Sequence, residues 1–329
     1  MERKNEFCSA MLSALNNANS ILLCTHISPD GDAIGATLAM GLGLEAMGKQ
    51  VTFACADPVP RQMAHLPGAE QFVTVEDLPG KAFDAAMAID CAEASRMGDC
   101  IRAFGSAPVT FQLDHHPGNP GYARYNAVDD AAPAAGIVVR RLLRALHIPL
   151  TKEIAACLYC AISTDTGNFR FSSTTAETFS IMEELMVAGL DLAAEARIFH
   201  SLLEEPQARL LGRALNTLHL FADGQCASMR LTGLDYEAAH ALPEHNTGIV
   251  NYALNLPGVK MAYLAEDRGN GLVKVSLRSV PGWKVGPIAR GFGGGGHDCA
   301  AAFRREGSLR DVCEMLDRQL EKQVGKRTL

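Results

Sequence analysis

Short apolar runs that alternate with helix-length segments fill the first half of the chain, and they constrain its fold more than any other feature. Ser20-Ile21-Leu22-Leu23-Cys24-Thr25-His26 is apolar on both faces of an extended backbone, as a strand buried between two layers must be. A turn at Ser28-Pro29-Asp30-Gly31 follows, and residues 32–48 read as a helix. Its Gly35, Gly41 and Gly43 predict close packing against a sheet. Residues 51–55, 83–89 and 109–113 read as a second, third and fourth strand, the last two running into Asp90 and Asp114. Helices are expected at about 133–146 and 151–163. This β-α-β alternation predicts an α/β fold, with a mostly parallel sheet flanked by helices.

The pattern then turns helical from residue 174 to about 220, with a cap candidate for helix 174–188 at Ser173 or Thr174. Residues 191–220 are expected to be a helical connector between a domain of residues 1–190 and one of residues 221–329. The latter holds strand-like runs at 225–231, 259–265 and 272–279 and an amphipathic helix at 308–324, which predicts a smaller C-terminal α/β domain. A chain of 329 residues exceeds the size at which one core keeps growing, and a 48% hydrophobic composition supplies material for two.

No run approaches the ~18 apolar residues that span a bilayer. The charged start Met1-Glu2-Arg3-Lys4-Asn5-Glu6 leads into no signal-peptide core, so a cytoplasmic protein without a membrane partner is expected. The net charge of −7 excludes a protein that grips long duplex nucleic acid along a basic face. It leaves room for a small anionic substrate, because bound cations reverse the local field of an acidic site. Ten cysteines do not read as a disulfide framework: Cys24, Cys55 and Cys226 sit in apolar runs. Cys157 and Cys160 form a C-x-x-C inside a buried-helix pattern without the second pair that a structural zinc site needs.

Ligands of open parallel sheets bind beyond the carboxyl ends of the strands. The first strand delivers His26, Asp30 and Asp32 there, the third Asp90, and the fourth Asp114, His115 and His116; Asp165 comes later. Singly, each has an ordinary explanation, since an Asp after a strand often caps a helix and a lone His is commonly a satisfied polar residue. Crowded at one sheet edge they would repel one another or lie buried unpaired, at several kcal/mol each. Two divalent cations remove that conflict, and mixed carboxylate and imidazole donors suit Mn²⁺, Mg²⁺, Fe²⁺ or Zn²⁺.

His26-x3-Asp30-Gly31-Asp32-Ala33-Ile34-Gly35, Asp90, Asp114-His115-His116 and Asp165 resemble, in order and spacing, the four motifs of the DHH phosphoesterase superfamily. Gly291-Phe292-Gly293-Gly294-Gly295-Gly296-His297 resembles the glycine-rich motif of its DHH-associated C-terminal domain. The compact length is similar to the NrnA type, which cleaves very short RNA and dephosphorylates 3′-phosphoadenosine 5′-phosphate (pAp). The resemblance implies one cation on His26, Asp30 and Asp90 and a second on Asp32, Asp90, His115 and Asp165, with Mn²⁺ foremost and Mg²⁺ or Fe²⁺ as alternatives. It implies that His116 points at the substrate phosphate and that Asp114 orients the histidine pair. Arg278, Ser279, Gly294, Gly295, Gly296 and His297 would hold the substrate, the glycines by cradling a phosphate on backbone amides. Relatives commonly carry Ala-Ala-Gly after the motif where this chain has Ala300-Ala301-Ala302, so a methyl at 302 is expected to tighten a turn. A short substrate would bridge the two domains.

Two other readings share part of this pattern. A phosphodiesterase for linear or cyclic dinucleotides differs only in pocket shape, and a non-catalytic nucleotide sensor would not need the complete ligand set. Apolar helices of the first domain could support a homodimer. An inorganic pyrophosphatase has no use for the glycine motif, and an exonuclease for long single strands conflicts with the acidic balance.

Overall fold

The computed structural model describes residues 7–78, 82–269 and 271–325, so the charged residues 1–6 lie outside the described part. The chain forms two compact units, Met1–Leu202 and Leu203–Leu329. Among the described residues no helix is long and apolar enough to cross a membrane.

Unit 1 opens with α1 (Ser9–Asn17), β1 (Ser20–Cys24), α2 (Gly31–Ala46), β2 (Gln50–Ala54), β3 (Phe72–Val73) and β4 (Ala85–Ile89). It continues with α3 (Cys100–Ser106), β5 (Val109–Asp114), β6 (Tyr125–Val128), α4 (Ala135–Ala145), α5 (Lys152–Asp165), α6 (Ala176–Val187) and α7 (Leu192–His200). The six strands are all parallel in the order β3-β2-β1-β4-β5-β6. The order reverses between β1 and β4, and the carboxyl ends at such a switch point open a crevice. The four expected strands are present within two residues at each end. The two strands without an apolar run, β3 and β6, are short, mostly half-buried edge strands, where a period-2 pattern has no room to show.

Helix α2 is apolar all round, and nearly every residue from Gly31 to Leu44 is buried, as befits a helix enclosed on all sides. The expectation that its glycines face the sheet is correct only for Gly41, where a Cβ would fall 2.1 Å from the Phe53 ring. A Cβ on Gly35 would instead meet the Cys157 carbonyl oxygen of α5 at 2.4 Å, and one on Gly43 would meet Leu143 of α4 at 2.5 Å. These glycines let three helices approach one another, a contact that helix spacing alone cannot distinguish from helix-on-sheet packing. The cap of α6 is Thr175, one residue beyond the expected candidates, and it exchanges hydrogen bonds with Thr178. All ten cysteines are free, and burial pushes the Cys157 and Cys160 thiols of α5 up, so neither is poised as a thiolate.

Unit 2 comprises α8 (Glu205–Asn216), β7 (His219–Phe221), β8 (Cys226–Thr232), α9 (Gly233–Ala239), α10 (Ile249–Leu254) and β9 (Met261–Asp267). After these come β10 (Leu272–Ser279), α11 (Gly286–Gly291), β11 (Gly295–Gly296), β12 (Ala300–Glu306) and α12 (Leu309–Gly325). The expected connector 191–220 is thus helical over α7 and α8, one in each unit. The sheet order is β11-β12-β10-β9-β8-β7, parallel only between β8 and β9. Alternate residues of β9 feed two cores, Met261, Tyr263 and Ala265 on one face and Ala262 and Leu264 on the other. Ala302 lies inside β12, paired with Ser276 and Gly295, so its methyl tightens no turn.

Candidate metal centre

The switch point brings the chemistry together. Thr25, fully buried, donates its hydroxyl to the Ile89 carbonyl at 3.0 Å, so the ends of β1 and β4 are fastened side by side. Asp90 follows β4 with a left-handed backbone (φ 58°), unusual for a residue other than glycine. Its N–H donates to the Leu113 carbonyl at 2.9 Å, and the next carbonyl, Cys91, accepts from Gln112 and the Tyr122 hydroxyl, each at 3.0 Å. Those bonds offset the strain and turn the carboxylate back over the strand ends.

Three sets of side chains converge there: His26, Asp30 and Asp90; Asp32, His115 and Asp165; and Asp90, His115 and His116. Asp90 belongs to two of the sets. Its Oδ2 stands 3.5 Å from His26 Nε2, while Oδ1 stands 3.5 Å from His115 Nε2 and 3.6 Å from His116 Nδ1. His115 Nε2 also lies 3.2 Å from Asp165 Oδ2 and 3.6 Å from Asp32 Oδ2, and His26 Nε2 lies 3.9 Å from Asp30 Oδ1. Donors held about 2.1 Å from a shared ion lie roughly 3.0–3.5 Å from one another. Asp90 Oδ1 is buried without a hydrogen-bond partner among the described residues, a cost that a cation would remove. The residues therefore fit divalent cations.

Charge crowding leaves its mark on the ionisations. Burial, then the Asp90, Asp165 and Asp30 charges, push Asp32 well above the usual carboxylate range. Asp165 is pushed up to about 7 by burial and Asp90, against the pull of His115. Burial also pushes Asp90 up, but the His115 and His26 rings, each 3.5 Å from one of its oxygens, outweigh it and the net direction is down. Burial pulls His115 down, yet the Asp90 carboxylate, Asp165 and the Ala132 carbonyl raise it to about 9. The same balance, through Asp90 and the Ile27 carbonyl, raises His26. A cation set among these groups would take over the role of the extra protons.

The triplet divides its duties. Asp114, fully buried at the end of β5, accepts from His116 Nδ1 at 3.0 Å on Oδ1 and from the His116 backbone N–H at 3.2 Å on Oδ2. Oδ2 also accepts from the Asn119 amide. Asp114 thus orients His116 alone, whose Nε2 is left for a ligand; the expectation that it steers both histidines is corrected. His115 is held instead by the Ala132 carbonyl, 3.2 Å from its Nδ1. That carbonyl is backbone and leaves no trace in the sequence, whereas Asn119 stood five residues after Asp114 in Asp114-His115-His116-Pro117-Gly118-Asn119. Arg96, whose Nη2 lies 3.4 Å from His26 Nδ1, belongs to no motif of the sequence; the left-handed backbone of the nearby Gly98 is seen only in the structure.

In unit 2 the expected substrate residues do not form one set. Ser279 and Arg278 face opposite sides of β10, and the buried Ser279 hydroxyl donates to the Trp283 carbonyl at 2.7 Å. Arg278, half-buried with its guanidinium pulled down by burial, pairs across the sheet with Ala300. The Ala300 carbonyl accepts the His297 N–H at 2.8 Å, so Arg278 and His297 share a neighbourhood. The glycine run is no open cradle. The Gly293, Gly294 and His297 amides donate to the Arg290, Ala289 and Ala300 carbonyls, and Gly295–Gly296 forms β11. A Cβ on Gly294 would fall 2.2 Å from the Ala302 carbonyl oxygen and one on Gly296 2.5 Å from that of Ala300. The structure thus gives these two glycines a packing reason.

Residues 20–162 match the DHH family, N-terminal domain, and residues 241–322 match the DHHA1 domain. The bifunctional oligoribonuclease and PAP phosphatase NrnA of Thermus thermophilus is 34% identical over 92% of this chain and 88% of its own. The chain belongs to the DHH family. A Bacillus subtilis protein of the same name is 23% identical over 88% of this DHH chain and 91% of its own. In fold, the DHH chain is similar to an exopolyphosphatase-related protein from Bacteroides fragilis, with a TM-score of 0.88 at 23% identity over 98% of this chain and 100% of that one.

Proposed function

We propose that this DHH protein is a two-cation phosphohydrolase that cleaves very short oligoribonucleotides to mononucleotides and converts pAp and water to AMP and phosphate. The relatives named NrnA support the substrate class. The observation that carries the chemistry is Asp90, one buried carboxylate whose two oxygens face two different sets of ligands. Two divalent cations, Mn²⁺ foremost, would supply an acidified water and neutralise the negative charge that builds on the phosphoryl group. His26, Asp30 and Asp90 would hold one, and Asp32, Asp90, His115 and Asp165 the other. His116, raised by its bond to Asp114, would present Nε2–H to a phosphoryl oxygen. Arg278 and His297 of unit 2 would bind a phosphate, with Ser279, Gly294, Gly295 and Gly296 shaping that segment.

The net charge of −7 favours a small substrate, since each further phosphate adds repulsion, and the charged start without a signal-peptide core supports work in the cytoplasm. The test is Mn²⁺-dependent release of phosphate from pAp and of mononucleotide from a dinucleotide, beside a 24-mer. Hydrolysis of both small substrates is expected, with efficiency falling steeply beyond about five nucleotides. Failure on both, or equal efficiency on the 24-mer, would refute the reading.

A further inference from the structure

Arg96 belongs to a short turn, Ala94–Met97, that follows β4 and is fastened to the loop after β1. The Ile27 N–H donates to the Arg96 carbonyl at 2.7 Å. Gly98, in the left-handed region at φ 58°, has no space for a side chain: a Cβ would fall 2.7 Å from Ile27 and 2.9 Å from Ala56. The backbone thus fixes where the Arg96 side chain begins, and its Nη2 reaches within 3.4 Å of His26 Nδ1.

That contact is not a stable pairing. His26 Nδ1 lies 2.8 Å from the Ile27 carbonyl oxygen, to which it can only donate, while Nε2 faces the Asp90 and Asp30 carboxylates. With a metal on Nε2 the ring proton must sit on Nδ1, and a nitrogen that donates cannot also accept from a guanidinium. Among the described residues the Arg96 guanidinium has no other hydrogen-bond or ion-pair partner. A cation held against a ligand of a dication site is repelled unless an anion comes between them.

Resting on the phosphohydrolase reading above, we infer that Arg96 binds the scissile phosphate, donating to its non-bridging oxygens from the His26 side of the centre. His26 faces Oδ2 of Asp90 and His116 faces Oδ1, so Arg96 and His116 flank the centre on different sides of that carboxylate. The fork of a guanidinium suits two oxygens of one phosphoryl group.

The experiment compares wild type, Arg96→Ala and Arg96→Lys, each loaded with Mn²⁺. Metal content, the affinity for inorganic phosphate by titration calorimetry, and kinetics on pAp and a dinucleotide are measured. Arg96→Ala should keep the wild-type metal content, bind phosphate at least about tenfold more weakly, and lose about 10²–10³ in kcat/KM on both substrates alike. Arg96→Lys should recover part of this, as a point charge without the fork. Loss of metal with phosphate affinity unchanged would make Arg96 a positioning residue for His26 and overturn the inference, as would wild-type phosphate affinity and kinetics. A wild-type enzyme inert toward both substrates sinks the proposed function instead, and the phosphate titration still reads Arg96.

Discussion

Asp32 caps the helix that begins at Ala135, accepting its backbone N–H on Oδ2 at 2.6 Å from 103 residues away in sequence. Oδ1 accepts the Gly136 N–H at 2.9 Å, and Ala134, at the cap position, offers no side-chain bond of its own. The same carboxylate faces His115, so one residue joins the start of α4 to the metal centre.

Asp32→Ala should therefore be costly even without metal. Two buried helix N–H groups lose their acceptor, which costs about 1–3 kcal/mol. Denaturant titration in excess chelator reads this directly, and a chelated variant as stable as chelated wild type would overturn the capping role.

Asp90→Ala removes the carboxylate that both ligand sets share and leaves their cations less compensated. Its turnover should fall further than that of Asp30→Ala or Asp165→Ala, with circular dichroism unchanged. Near wild-type turnover at saturating Mn²⁺ would sink the two-cation assignment.

His115 and His116 should separate by metal analysis. His115→Ala is expected to lose one cation, because its Nε2 faces Asp32, Asp90 and Asp165. His116, whose Nδ1 is engaged by Asp114, should keep the metal content when changed to Ala and lose turnover. Equal metal loss in the two variants would contradict this division.

A Cβ on Gly31 would lie 2.5 Å from both Thr164 Cγ2 and Oγ1, one residue before Asp165. Gly31→Ala should cost about 1–3 kcal/mol by prising α2 from α5 and should lower activity by shifting Asp165. Adding Thr164→Ala removes the two nearest atoms but leaves the residue 164 Cβ at 2.9 Å, so it should recover part of the stability, a coupling that a double-mutant cycle measures. Additive effects would show that the two side chains do not collide.

Arg278→Ala should raise KM for pAp and a dinucleotide while barely changing the turnover of bis-p-nitrophenyl phosphate, since binding lost away from the reacting phosphorus appears in KM first. An unaltered dinucleotide KM would remove Arg278 from the substrate site.

The sequence by itself determined the parallel sheet of unit 1 and which side chains gather at its edge. Strands buried on both faces need continuous apolar runs, and parallel order carries every strand's carboxyl end to one side, so His26, Asp90 and Asp114 converge by topology alone. Only the tertiary structure decided what each group touches there. The Ala132 carbonyl on His115, the Asp32 cap of α4 and the Arg96 approach to His26 join segments 17 to 104 residues apart. Backbone donors and acceptors carry no residue identity, so no motif announces them. Short edge strands such as β6, and β12 with its exposed charges, stay hidden for a related reason: pairing with a neighbour, and not an apolar pattern of their own, makes them strands. The glycine run at 291–297 shows the same limit, because its composition permits both an anion cradle and close packing, and what decides is the backbone of Ala289, Arg290 and β12 that it meets.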